Sequence, residues 1–193
     1  MTAGAGPGTR FPYLEFLANL NQGRGMTSAY LVRYRENGRK AVLKILDHAS
    51  GSVAREAIVE ELNGARLLQR LADREAPGLN PEHRLPKVYE FDERDEYFYV
   101  LIEYLEGQGL ARRLGEGPLE TGEAIRIAKD ILTQLAFIHS PERNGEGRPI
   151  CHGDVKPANI ILQPQSARLV DFGIAKLLAV GRTDATANFG SEN

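Results

Sequence analysis

Apolar and polar positions along this chain change period twice. Strand-like runs at Phe16–Leu20, Tyr30–Tyr34 and Lys40–Leu46 open it. The second and third flank Arg35-Glu36-Asn37-Gly38-Arg39, and Asn-Gly between two apolar runs is the strongest short-range hairpin signal. From 53 to 72 the period lengthens: Ile58, Glu61, Leu62, Ala65 and Leu68 share one face at helical spacing. A loop is expected from Pro77 to Pro86, then strands at Val88–Phe91 and Tyr97–Tyr104 around a charged turn, residues 92–96. Beyond Glu106-Gly107-Gln108-Gly109 the pattern turns helical again. Ala124, Ala128, Ile131, Leu135 and Ile138 recur at steps of four and three, predicting the buried stripe of a long helix. A polar insert, Pro141–Arg148, leads to short strands ending near Val170. Five strands with one helix, a linker, then a mainly helical region make this an α+β chain without an internal repeat. The boundary falls near residue 106, and the cleft there is the natural ligand site.

Composition narrows the class. The chain has 193 residues, 42% of them hydrophobic, enough for one or two modest cores. Its 24 basic and 26 acidic residues are interspersed and leave a net charge of −2. Neither a nucleic-acid stripe nor a polybasic membrane patch is present, so neither partner is expected. Cys151 is the sole cysteine, which excludes disulfide frameworks and cysteine zinc sites. Met1–Arg10 is Gly/Ala-rich and lacks a basic-then-apolar leader, so residues 1–12 are expected as a flexible lead-in. The longest apolar runs fall far short of a membrane span, and a cytoplasmic location is expected.

The densest chemistry lies in His152-Gly153-Asp154-Val155-Lys156-Pro157-Ala158-Asn159, followed by Asp171-Phe172-Gly173. Two carboxylates and an amide on adjacent loops can hold a hard divalent cation through oxygen. Magnesium takes few protein ligands and completes its shell with phosphate oxygens and water, which suits so sparse a set. Asp154 would then remain to accept a proton from a hydroxyl nucleophile, and Lys156 would add positive charge beside a transferred phosphoryl group.

Residues His152–Leu162 and Leu169–Lys176 resemble the catalytic and magnesium loops of the eukaryotic-like Ser/Thr protein kinases of bacteria. The order of elements is similar to that family from about Phe16 onward. The resemblance implies a protein-kinase-like fold: a five-stranded antiparallel N-lobe sheet with one helix (13–106), and an incomplete, mainly helical C-lobe (107–193) ending in the activation segment. It implies ATP and Mg2+ as cofactors. It also makes Asp154 the catalytic base, Lys156 a phosphate contact, and Asn159 and Asp171 magnesium ligands, with His152 and Phe172 packed inside. Ala41-Val42-Leu43-Lys44 resembles the third-strand motif, which would set Lys44 on the α- and β-phosphates.

The expected partner of Lys44 is a glutamate on the following helix. Glu61 shares the apolar face of Ile58, Ala65 and Leu68, where a carboxylate needs a buried partner. Glu60 points aside, and the family register counted back from Leu67-Leu68 lands on Gly64. For the phosphate-covering loop, Gly23 and Gly25 match the first two glycines of the family pattern. Counting back from Lys44 instead makes Ala29 the residue above the adenine and puts Gln22, Arg24 and Thr27 at the glycine positions. Tyr99–Leu105 resembles the hinge, implying adenine hydrogen bonds to the backbone of Glu103 and Leu105, with Ile102 behind and Ala29, Val42 and Ile161 on its faces.

Two departures matter. Gly153 stands where many such kinases carry an arginine, so activity should not depend on pairing with a phosphate at Thr183, Thr186 or Ser191. The chain also stops at Asn193, inside a segment that should run on to a Pro-Glu motif, so a fragment of a longer protein or a truncated product is expected. The resulting expectation is ATP-dependent phosphotransfer to Ser/Thr hydroxyls of a protein. His-Gly-Asp also occurs in aminoglycoside and choline phosphotransferases, which makes a small-molecule phosphotransferase one alternative. A nucleotide-binding, catalytically silent regulatory module is the other.

Overall fold

The computed structural model describes residues 7–20, 27–47, 52–73, 84–94, 96–172 and 176–177. Alternating β-branched, aromatic and polar residues form β1 (Leu14–Asn19), β2 (Thr27–Tyr34), β3 (Lys40–Asp47), β4 (Val88–Glu93) and β5 (Tyr97–Glu103). They make one antiparallel sheet in the order β1-β2-β3-β5-β4. The β2–β3 hairpin closes where Asn-Gly predicts it. Gly38 adopts φ 72°, and the Asn37 side-chain oxygen accepts the Arg39 N–H at 2.9 Å. β3 is the central strand and sets Lys44 opposite Ala29 on one side and Val100 on the other.

The sheet has two apolar faces. Against the inner one packs α2 (Ser52–Asp73), whose Ile58, Ala65, Leu68 and Leu71 are buried in one core with Phe98 and Val100. That stripe matches the sequence period. The outer face carries Val32, Ala41, Leu43 and Leu101, all fully buried, and so needs a cover. Residues 7–12, expected within a lead-in, supply it: they form α1 (Pro7–Arg10) and insert Phe11, only 2% exposed, over the strands. Phe11 meets Tyr99 edge-on at 4.9 Å, and Arg10 bridges to Asp47 at 2.6 Å. The Tyr13 and Tyr99 hydroxyls both donate to Glu90, and burial pushes the Tyr99 phenol up to about 12.

After β5 come β6 (Gln108–Gly109), α3 (Leu110–Gly115), α4 (Thr121–His139), α5 (Pro141–Asn144) and β7 (Ile150–Cys151). A single 3-10 turn (Pro157–Asn159), β8 (Ile160–Leu162), β9 (Ala167–Leu169) and β10 (Lys176–Leu177) complete the described chain. β6, β8 and β9 form one small sheet, and β7 pairs with β10. The polar insert is anchored by Asn144, which is fully buried. Its amide donates to the carbonyls of Ile138 (2.7 Å) and Arg148 (2.9 Å), and its oxygen accepts the Glu146 N–H (2.7 Å).

The buried face of α4 differs from the sequence expectation. Ala124 and Ala128 are exposed, whereas Ile127, Asp130, Ile131, Gln134, Phe137 and Ile138 are buried. The reason is that two of the core positions are polar. Asp130 Oδ2 accepts the Ala167 N–H (2.8 Å), Gln134 Oε1 accepts the Leu169 N–H (2.9 Å), and Gln134 Nε2 donates to the Ala167 carbonyl (2.8 Å). Along the edge of β9 these two side chains take the place of a neighbouring strand. A stripe read from apolar letters alone passes them over.

Because Phe11 closes the outer face, Phe11→Ala should cost about 3–5 kcal/mol of stability, measured by chemical denaturation. A loss below about 1 kcal/mol would show that the outer face holds without it.

Candidate active site

A cavity of about 500 Å³ opens between the sheet and the small β6-β8-β9 sheet. Ala29 and Val42 line it from the upper strands, and Ile161 lines it from β8 below. Ile102, Glu103 and Leu105 run along the edge where β5 leaves the sheet. Lys44, Asn159 and Asp171 are also in its wall, so nine of the residues singled out from sequence converge on one space. Leu20, at the end of β1, also lines it and was not foreseen. Its N–H donates to the Ala29 carbonyl at 2.8 Å, an anchor across β1 and β2 that the apolar pattern does not reveal. The Glu103 N–H is already given to the Lys87 carbonyl (2.8 Å), so a ligand at this edge cannot use that donor.

Gly107, read from sequence only as linker, has a steric role. A Cβ there would lie 2.2 Å from the Leu162 carbonyl oxygen and 2.9 Å from Ile161 Cγ2. Only a hydrogen lets the chain leaving the edge lie against β8. Gly107→Ala should therefore destabilise by about 1–3 kcal/mol on thermal unfolding. Gly109→Ala, whose Cβ would meet nothing within 4 Å, should not show that overpacking loss.

At the inner end, Lys44 Nζ lies 2.5 Å from Asp171 Oδ1, with the lysine side chain only 14% exposed. Burial works against the ammonium charge. The Asp171 and Glu61 carboxylates outweigh it, helped by Asp154, and hold the Lys44 pKa above its ordinary value. Half-buried on α2, Glu61 thus acts on Lys44 through its charge. The side chain of Glu60 lies outside the described residues, and Gly64 is buried. Among the described residues Asp171 is the one non-glycine with positive φ, at 65°. Such strain collects where a side chain must be aimed, and here the carboxylate after β9 meets Lys44.

The loop 152–159 is tied together by its own polar groups. Asp154 Oδ2 accepts from Asn159 Nδ2 (2.8 Å) and pairs with Lys156 Nζ (2.7 Å). Asn159 Nδ2 also donates to the Asp154 carbonyl (3.0 Å), which turns the amide oxygen away from Asp154. Gly153 takes φ 85°, a left-handed turn that glycine adopts without penalty. Buried His152 joins the loop to the strand before Asp171. Nδ1 accepts the Asp154 N–H (3.2 Å), so the proton sits on Nε2, which donates to the Val170 carbonyl (3.1 Å). Its ring packs edge-on against Phe172 at 4.6 Å.

Among the described residues no three His, Cys, Asp or Glu side chains cluster as a metal cage. Asp171 and Asn159, the two residues expected to ligate a cation, both stand in the cavity wall. One carboxylate and one amide suit a hard cation that keeps phosphate and water oxygens. Gly23 and Gly25 lie outside the described residues, as do Gln22, Arg24, Gly173, Thr183, Thr186 and Ser191.

Burial holds the His152 pKa below its ordinary 6.5, with the Val170 hydrogen bond and nearby carboxylates opposing only in part. The folded state therefore keeps this ring neutral while the unfolded chain binds a proton. Stability from this source is present above the unfolded value of 6.5 and is lost as pH falls below it. His152→Asn should lose less stability than wild type between about pH 7 and about pH 5 in thermal melts. Equal slopes would show that another group carries the acid sensitivity.

The profile of the protein kinase domain family matches residues 17–193 of this chain. Serine/threonine-protein kinase pkn2 of Myxococcus xanthus is 29% identical over 174 residues, covering 86% of this chain and 18% of that protein. Serine/threonine-protein kinase PrkC of Bacillus subtilis is 28% identical over 162 residues, 81% of this chain and 22% of its own length. Serine/threonine-protein kinase pkn3 of M. xanthus is 31% identical over 169 residues, 84% and 27%. The chain thus spans between 18% and 27% of the length of these relatives.

Proposed function

Because this chain belongs to the protein kinase family, we propose that its cleft binds ATP with magnesium and transfers the γ-phosphoryl group to Ser or Thr hydroxyls of a protein. The observation that carries this reading is the meeting of Lys44, Asp171 and Asn159 on one cavity, with Asn159 hydrogen-bonded to Asp154, which in turn pairs with Lys156 beside it. Family members generally use ATP and Mg2+. The magnesium ion supplies charge neutralisation between phosphates, and Asp171 and Asn159 are the residues that would hold it. The ammonium of Lys44 would meet the α- and β-phosphates. Asp154 would orient the acceptor hydroxyl and take up its proton, while Lys156 adds positive charge where negative charge develops. The base would lie between Ala29 and Val42 above and Ile161 below, against the backbone of Glu103 and Leu105. Gly23 and Gly25 are assigned to the phosphate-covering loop on sequence resemblance.

Among the described residues no helix is long and apolar enough to cross a membrane. The cytoplasm is proposed as the compartment because ATP is supplied there.

The test is phosphate transfer from labelled ATP to a panel of protein, peptide, aminoglycoside and choline-type acceptors. Turnover of proteins on Ser or Thr supports the reading, and turnover of only the small molecules would overturn it. In the same assay Asp154→Ala should lower turnover by roughly 10²–10⁴-fold, the range of a positioned general base, with ATP affinity little changed. An unchanged rate would remove Asp154 from that role.

A further inference from the structure

Arg168 is a buried charge that the phosphotransfer chemistry leaves unused. It sits on β9 directly opposite Ile161 on β8, the strand that floors the cavity. Cross-strand partners project from the same face of a sheet, so the guanidinium leaves the sheet beside the floor. Its side chain is 9% exposed. Nε donates to the Arg84 carbonyl at 2.8 Å, and Nη2 lies 3.6 Å from Glu103 Oε2. The same Glu103 oxygen accepts the Lys87 N–H at 3.1 Å, while the Glu103 N–H donates to the Lys87 carbonyl at 2.8 Å.

Glu103 is therefore gripped twice by the segment before β4 and once by the floor of the cavity. The Lys87 N–H bond to the carboxylate is exposed, whereas the Arg168 side chain is only 9% exposed, so its grip is the one that is costly to leave unmade. Burial alone would lower the arginine pKa, and the nearby Glu103 carboxylate partly offsets that loss.

We propose that Arg168 is a positioning residue for the base-binding edge: by holding the Glu103 carboxylate and the Arg84 carbonyl, it sets the spacing between the Glu103–Leu105 backbone and the Ile161 floor for a purine ring. It rests on the nucleotide reading above. A residue that only filled space would act through its stem, and Met would replace it. A strut acts through its charge on Glu103, so the two residues must be coupled.

The experiment measures binding of the non-hydrolysable ATP analogue AMP-PNP by calorimetry, in the full chain with Mg2+. Arg168→Met should weaken binding by roughly 5–20-fold, because the Glu103 carboxylate is left beside the base without its counter-charge. Glu103→Gln alone should weaken it by roughly 2–5-fold. The double variant should bind no more weakly than Arg168→Met. Additive losses in the double variant, or affinity unchanged in Arg168→Met, would overturn the strut and leave the nucleotide reading intact. A wild-type chain that binds no AMP-PNP would overturn both. Should Arg168→Met fail to fold, the isosteric Glu103→Gln decides, since unchanged affinity there also overturns the proposal.

Discussion

The ion pair between Lys44 and Asp171 is the contact on which the cleft depends. It joins the central strand of the sheet to the turn after β9 across 127 positions of sequence. Withdrawing an ammonium group from water costs several kcal/mol unless charge and hydrogen bonds compensate. Here the compensation comes from carboxylates on three separate elements: Asp171 after β9, Glu61 on α2 and Asp154 in the loop after β7. None of these elements can shift far without leaving a buried charge poorly matched. The same condition explains why Asp171 holds a left-handed backbone, since a relaxed turn would aim its carboxylate elsewhere.

Around that pair the lower half is held by polar contacts as much as by apolar packing. His152 spans from the Asp154 N–H to the Val170 carbonyl, and Asn159 spans from Asp154 to the Val170 N–H through its own backbone carbonyl. Asp130 and Gln134 cap the edge of β9 from α4. Each group is buried or half-buried and each has partners, so the arrangement has few near-equal alternatives. The result is a loop whose Asp154 carboxylate is held by Asn159 and Lys156, the fixed arrangement that the proposed phosphotransfer would require.

Much of this was legible in the linear chain, and the misses have a common cause. The hairpin at Asn37-Gly38 and the α2 stripe through Ile58, Ala65 and Leu68 follow from residue type and short spacing, whereas the convergence of Lys44, Asn159 and Asp171 was implied by the family resemblance of their motifs. The α4 stripe was misread because Asp130 and Gln134 look like surface residues until β9 is placed beside them. Phe11 was grouped with a lead-in because nothing near it in sequence announces an uncovered sheet face. Leu20 and Gly107 matter through neighbours at Ala29 and Leu162, and no local pattern carries that information.

By itself the sequence determined the strand and helix periods, the hairpin turn and the order of the chemical residues, because backbone preference and side-chain chemistry act over a few positions. Tertiary structure alone decided that Lys44 pairs directly with Asp171 while Glu61 acts on it through charge. It also decided which face of α4 is core and which side chain closes the outer sheet. Those choices turn on burial and on partners up to 127 positions away, where the cost of an unmatched polar group outweighs any local preference.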